Sequence, residues 1–100
     1  MKIAVIDGQG GGLGKAIIEK LMKVKIHEKA DIFALGTNGV ATSAMKKAGA
    51  AEGASGEITP GMSAAVLESP ACKILIPLKR RFLDEMVQRV SEFIDSKKRP

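Results

Sequence analysis

The chain is 100 residues long, 45% hydrophobic, and carries a formal net charge of +5, with three Phe but neither Trp nor Tyr. That length makes one domain over residues 1–100, able to bury roughly 60–65% of its unfolded surface without disulfides or a metal. The lone cysteine, Cys72, excludes an internal disulfide and suits a reducing compartment. No apolar stretch approaches the ~18 residues that span a bilayer. A strand-like run starts at the N-terminus and leaves no signal peptide, so the expected location is the cytoplasm, with no membrane partner. The lysines at positions 20, 23, 46, 47, 97 and 98 are scattered over polar helix sides. Without a concentrated basic stripe or stacking aromatics, nucleic acid is not an expected partner.

Lys2–Ile6 is a continuous apolar run and reads as a buried parallel strand. A 3.6-residue period through Leu13, Ile17, Leu21 and Val24 predicts a helix from about Leu13 to Lys25. Asp31–Leu35 reads as a second buried strand. Thr37 or Asn38 can then cap a helix running to Ala48, with Val40, Ala41, Ala44, Met45 and Ala48 on one face and Gly49 as its stop. The small residues from Ala50 to Gly56 read as a loop. Thr59-Pro60 reads as a helix start, with Thr59 as the cap, leading through Met62–Glu68 to a stop at Ser69-Pro70. Cys72–Ile76 reads as the third strand, closed by Pro77. A strongly amphipathic helix follows, from about Arg80 to Ser96, with Phe82, Leu83, Met86, Val87, Val90, Phe93 and Ile94 as its stripe. Lys97–Pro100 is a basic tail, expected to fray.

Alternating strands and helices predict an α/β fold: a small, Rossmann-like three-layer sandwich built on a parallel three-stranded sheet of order 2-1-3. The first and last helices are expected on one face and the middle helices on the other. Such a sheet binds ligands at the carboxyl ends of its strands. Three segments converge there: the loop after the first strand, Gly36-Thr37-Asn38, and Pro77–Arg81.

The loop is the strongest functional signal. Glycine supplies five of the seven residues from Gly8 to Gly14, between a strand and a helix start that presents free N–H groups to an anion. The candidate site is Asp7, Gly8, Gln9, Gly10, Gly11, Gly12, Leu13, Gly14 and Lys15, with Thr37, Asn38 and Arg80. Asp7 suits Mg²⁺ or a ribose hydroxyl, but accepting N–H bonds from the loop glycines is its simpler role. Lys15 suits a phosphate or plain solvent, and Thr37 and Asn38 suit a ligand or a helix cap. Lys79, Arg80 and Arg81 put three cations at the ligand edge, where guanidinium forks match phosphate. Cys72 reads as an inert core residue and His27 as a surface one. No Cys/His cluster supports a metal.

The spacing narrows the ligand class. A Walker A loop would need glycine where Gln9 stands and a hydroxyl where Ala16 stands, and G-x-G-x-x-G also fails at Gln9. Gly8, Gly12 and Gly14 make G-x-x-x-G-x-G, which resembles the cofactor loop of the short-chain dehydrogenase/reductase family over the first quarter of the chain. The resemblance implies NAD(P) or another nucleotide as ligand. Asp7 replaces that family's threonine, the second strand ends without an acid for the adenosine ribose, and a Tyr-x-x-x-Lys pair cannot exist in a chain lacking tyrosine. That dehydrogenase chemistry is excluded.

A longer resemblance spans roughly residues 1–78. Ile3–Ile17, Ala34–Asn38 with Ala41–Met45, and Gly56–Pro60 are similar to an uncharacterised bacterial Rossmann-like family, domain of unknown function 3842. Members of that family carry about one more strand between the counterparts of Gly56 and Glu57, so the resemblance implies a shortened member. It implies no activity and no catalytic residues.

The expected function is binding of a phosphate-bearing small molecule, a nucleotide or dinucleotide, on the Gly8–Gly14 loop, with no catalysis assigned. Two other readings stay open. One is an oligomeric interaction module whose loop serves packing. The other is a weak Mg²⁺-dependent phosphoryl-transfer enzyme using Asp7 with Arg80 or Arg81. A homodimer is expected, paired through the edge of the third strand.

Overall fold

The computed structural model describes residues 1–8, 12–58, 62–70 and 72–98. Five strands, β1 (Lys2–Asp7), β2 (Asp31–Gly36), β3 (Glu52–Ser55), β4 (Ser63–Ser69) and β5 (Cys72–Pro77), form one sheet of order β3-β2-β1-β4-β5. β1, β2 and β3 are mutually parallel, whereas β4 runs antiparallel to both β1 and β5. Three helices, α1 (Gly12–Lys23), α2 (Gly39–Ala48) and α3 (Leu83–Lys98), complete the α/β fold.

This corrects the expected parallel three-stranded sheet of order 2-1-3. The 63–69 segment, read as a helix, is a strand inserted beside β1, and it moves the 72–77 strand out to the edge. Ser63, Ala65 and Leu67 point to the helices while Glu68 is exposed. That two-residue alternation, paired on both sides, overrides the helix propensity of Ala-Ala-Val-Leu-Glu. The Thr59-Pro60 helix start lies outside the described residues. The Ala50–Gly56 stretch, read as loop, contributes β3, an edge strand exposed throughout.

All three helices lie on one face of the sheet, which corrects the three-layer expectation. α1 packs against both α2 and α3. The buried core joins Ile3, Val5, Ile32, Ala34, Ala65, Leu67 and Ile76 of the sheet to Ile17, Ile18 and Leu21 of α1, Met45 of α2, and Val90 and Ile94 of α3. Among the described residues, the other face carries no helix. Along the register it presents Phe33, Ala4, Val66 and Leu75, then Leu35, Ile6 and Ala64, above a charged row of Asp31, Lys2, Glu68 and Lys73. Leu75 is 53% exposed.

Helix boundaries follow their caps. Asn38, in extended backbone, accepts the Ala41 N–H at 2.9 Å and starts α2. Gly49 ends it with φ 136° and returns its N–H to the carbonyls of Met45 and Lys46. α1 stops two residues earlier than its periodicity suggests, leaving Val24 49% exposed, and Val40 points outward rather than into the core. Arg80–Phe82 forms a 3-10 turn before α3, so Phe82 drops out of the expected stripe and is 40% exposed. Lys20 to Asp84 at 2.7 Å and Lys29 to Asp95 at 3.6 Å tie α3 to the α1 side. Such exposed pairs contribute about 0–1 kcal/mol each, so the buried stripe of α3 holds it in place. Among the described residues, no helix is long and apolar enough to cross a membrane.

A methyl group on Gly49 would sit 2.7 Å from the Met22 side chain, on a backbone that disfavours side chains, whereas Gly39 has open space around it. Gly49→Ala is expected to lower unfolding stability by about 1 kcal/mol or more, and Gly39→Ala to leave it unchanged or raise it by about 0.4–1 kcal/mol. Urea midpoints at constant m-value measure both, and equal effects would contradict this account of the α2 ends.

Candidate functional site

β1, β2 and β3 end at one edge of the sheet, where α1 and α2 begin. The hinge of this edge is Asp7, fully buried, whose Oδ2 accepts the Gly14 N–H at 2.8 Å. A carboxyl group here satisfies one of the orphan N–H groups of the first turn of α1. The Asp7 carbonyl accepts from Thr37 N–H at 3.2 Å, and Gly8 donates its N–H to the Met62 carbonyl at 2.6 Å. The end of β1 is therefore fixed to α1, to the β2–α2 turn and to the entry of β4.

The Gly8–Met62 bond defines a hydrogen-bonded antiparallel pair, which makes the preceding pair, Asp7 with Ser63, the kind that brings side chains closest. Both lie on the helix side of the sheet. Ser63 is 9% exposed, and among the described residues its buried Oγ has no hydrogen-bond partner. An unpartnered buried hydroxyl costs about 1–3 kcal/mol, so it marks a place where a further polar group is wanted. Sequence reasoning missed Ser63 because it treated the segment as helical. The alternation of Ser63, Ala65 and Leu67 was the available signal.

Besides Asp7, the expected site residues divide into three sets, with Lys15 outside them. Gly12 opens α1, and the Nη2 of Arg80 lies 3.7 Å from where a Cβ of Gly12 would stand. The structure thus joins the start of α1 to the turn after β5, and among the described residues Arg80 has no ion-pair partner. A second set serves the fold. Gly8 and Gly14 have their N–H groups occupied, Asn38 caps α2, Thr37 braces β1, and Leu13 packs against the core. Lys15 lies apart, 4.0 Å from Glu19 and lining a groove with Gly39, Val40 and Lys47 between the starts of α1 and α2. Gln9, Gly10 and Gly11 form the third set, outside the described residues.

Of the other two cations, Arg81 has its guanidinium carbon over the Phe82 ring, 5.9 Å from the centroid, and Lys79 is extended and exposed. Asp84 and Glu85 in the first turn of α3 offset the three cations that precede it. Asp7 is buried and committed to Gly14, an arrangement that gives the phosphoryl-transfer reading no support. Among the described residues, no three His, Cys, Asp or Glu side chains come together as a metal site.

A cavity of about 380 Å³ opens on the opposite side of the same edge, between the end of β3 and Met62 at the entry of β4. Its walls are mostly apolar: Ile6, Leu35, Ala54, Ile58 and Met62, with Glu57 beside them. Nothing in the sequence pattern announces it, because it depends on β3 and on the crossing to β4, neither of which has a periodic signature.

The family model described as Domain of unknown function (DUF3842) matches residues 2–58. The match contains β1, α1, β2, α2 and β3 with the glycine loop, while Ser63 and Arg80 lie beyond it. No match was found among curated proteins or solved structures.

A Cβ on Gly14 would overlap the Met45 thioether and lie 3.2 Å from the Asp7 Cβ, whereas one on Gly12 meets only the Arg80 guanidinium at ordinary contact distance. Gly14→Ala is expected to cost about 1–3 kcal/mol of stability by overpacking. Gly12→Ala should leave stability unchanged or raise it by up to about 1 kcal/mol. Urea denaturation separates the two; equal losses would show that Gly12 is also kept for packing.

Proposed function

We propose, for a chain that belongs to the family described as Domain of unknown function (DUF3842), a binding role: it takes a phosphate-bearing small molecule, of the nucleotide or dinucleotide class, at the start of α1. The observation that carries this reading is the Arg80 guanidinium beside Gly12. It supplies a planar cation where the backbone of a helix start faces outward and where a residue without a side chain leaves room for close approach. The unpartnered Ser63 hydroxyl next to Asp7 supports it from the neighbouring strand. Among the described residues, the N–H groups of Gly14 and Gly8 are taken, by Asp7 and Met62, and the first turn of α1 at Gly12 and Leu13, with the Arg80 fork, is what is offered to a phosphate. No catalytic step is assigned.

The test is a thermal-shift panel of NAD(H), NADP(H), ATP, GTP, FMN and inorganic phosphate. A ligand at a hundred times its Kd stabilises by about 2.7 kcal/mol, a rise of roughly 10–20 °C in a domain of this size. Arg80→Ala removes a charge-assisted bond of about 1.5–3 kcal/mol and should weaken binding by about 10- to 100-fold with little change in the unliganded melt. A panel in which nothing shifts the melt overturns the reading.

One observation favours the interaction reading as a second role: the sheet face without helices, with Phe33, Leu35, Val66 and Leu75 partly or largely open to solvent. Both sheet edges, β3 and β5, are also unpaired among the described residues. A homodimer formed through this face or through β5 should appear in sedimentation at micromolar concentration and be lost in Leu75→Lys. A monomer at all concentrations rules it out.

A further inference from the structure

We infer that the cavity lined by Ile6, Leu35 and Met62 holds the base of the same ligand, so that the site takes a nucleoside monophosphate laid across the carboxyl end of β1. The inference rests on the phosphate reading and adds the second half of the molecule. Consecutive residues of a strand point to opposite faces, and here two adjacent strands do so in step. Ile6 and Met62 line the cavity on the open face, while the residue that follows each, Asp7 and Ser63, stands on the helix side. The Gly8 N–H to Met62 carbonyl bond forms the ridge between the two half-sites. In a nucleoside monophosphate the pentose between phosphate and ring would cross that ridge.

The cavity's size and walls select the ring. About 380 Å³ is near the lower end of small-molecule sites, which run from roughly 300 to 1,000 Å³, and suits one ring system. Ile6 and Leu35 offer apolar surface to the flat face of a base. Glu57 at the wall brings a carboxyl group to the exocyclic amino group of a base. On the helix side, the Arg80 guanidinium and the first turn of α1 provide the donors for a phosphate.

The experiment titrates AMP, GMP, CMP, inorganic phosphate and adenosine into the full chain by calorimetry, alongside Ala54→Phe. Ala54 is exposed on an edge strand and lines the cavity, so a phenyl ring there fills it without entering the core. At least one nucleoside monophosphate is expected to bind about tenfold or more tighter than inorganic phosphate, and Ala54→Phe to reduce it to the phosphate level. Inorganic phosphate binding by the same variant should be unchanged, which also shows that it is folded. Met62→Ala, on the opposite wall, should cost the monophosphate about threefold or more. Monophosphates that bind no tighter than phosphate, or a monophosphate affinity unmoved by Ala54→Phe, overturn the cavity assignment and leave the phosphate reading standing. Adenosine binding with no gain from the phosphate, and no sensitivity to Arg80→Ala, overturns the phosphate reading and the monophosphate assignment with it. Absence of binding by every probe overturns both.

Discussion

Where α1 begins is decided by a buried carboxyl group, and the geometry of the whole carboxyl edge follows from that. The bond from the Gly14 N–H to Asp7 anchors the first turn of the helix to the end of the central strand. It works because Gly14 has no side chain to separate α1 from Met45 of α2 and from Asp7 itself. With α1 so placed, Gly12 is left at the surface, within reach of Arg80. The glycines of the loop thus have distinct roles. Gly14 is explained by packing, whereas neither packing nor a positive φ accounts for Gly12.

A second constraint is the one-sided layering. Three helices cover one face of a five-stranded sheet, and the central strands bury Ile3, Val5, Ile32 and Ala34 completely against them. The opposite face is apolar in the middle and charged at one end. This arrangement sets a polar locus and an apolar cavity back to back, separated by the thickness of a single backbone. A fully covered three-layer sheet would have filled that cavity with helix side chains.

The first half of the fold was legible in the sequence because its signals are local. Unbroken apolar runs mark β1 and β2, a 3.6-residue period marks α1, and α2 sits between an Asn cap and a Gly stop, at Asn38 and Gly49. The second half was not, for equally physical reasons. β3 is Glu-Gly-Ala-Ser, with no β-branched or aromatic residue and no buried side chain, and it is a strand because β2 offers it a partner. β4 carries Ala-Ala-Val-Leu-Glu, which by propensity suits a helix, and its identity comes from pairing with two neighbours at once. The convergence of Gly12 with Arg80 could be anticipated because both lie at the carboxyl ends of strands. Ser63 and the cavity could not, since each depends on the antiparallel insertion of β4.

That insertion also bears on how the chain reaches its native state. The residues matched to the family, 2–58, form β1, α1, β2, α2 and β3 through contacts between near neighbours in sequence. β1 meets β4 only after this entire half has been laid down, so their ladder is the most non-local pairing in the sheet and carries the largest loop-closure cost. Until it forms, the centre of the finished sheet is an open edge, with Ile3, Ala4, Val5 and Ile6 offering unpaired N–H and carbonyl groups. The β4–β5 hairpin therefore acts as a cap on a nascent sheet, and the step most exposed to self-association is the one that completes the edge where the ligand is proposed to sit.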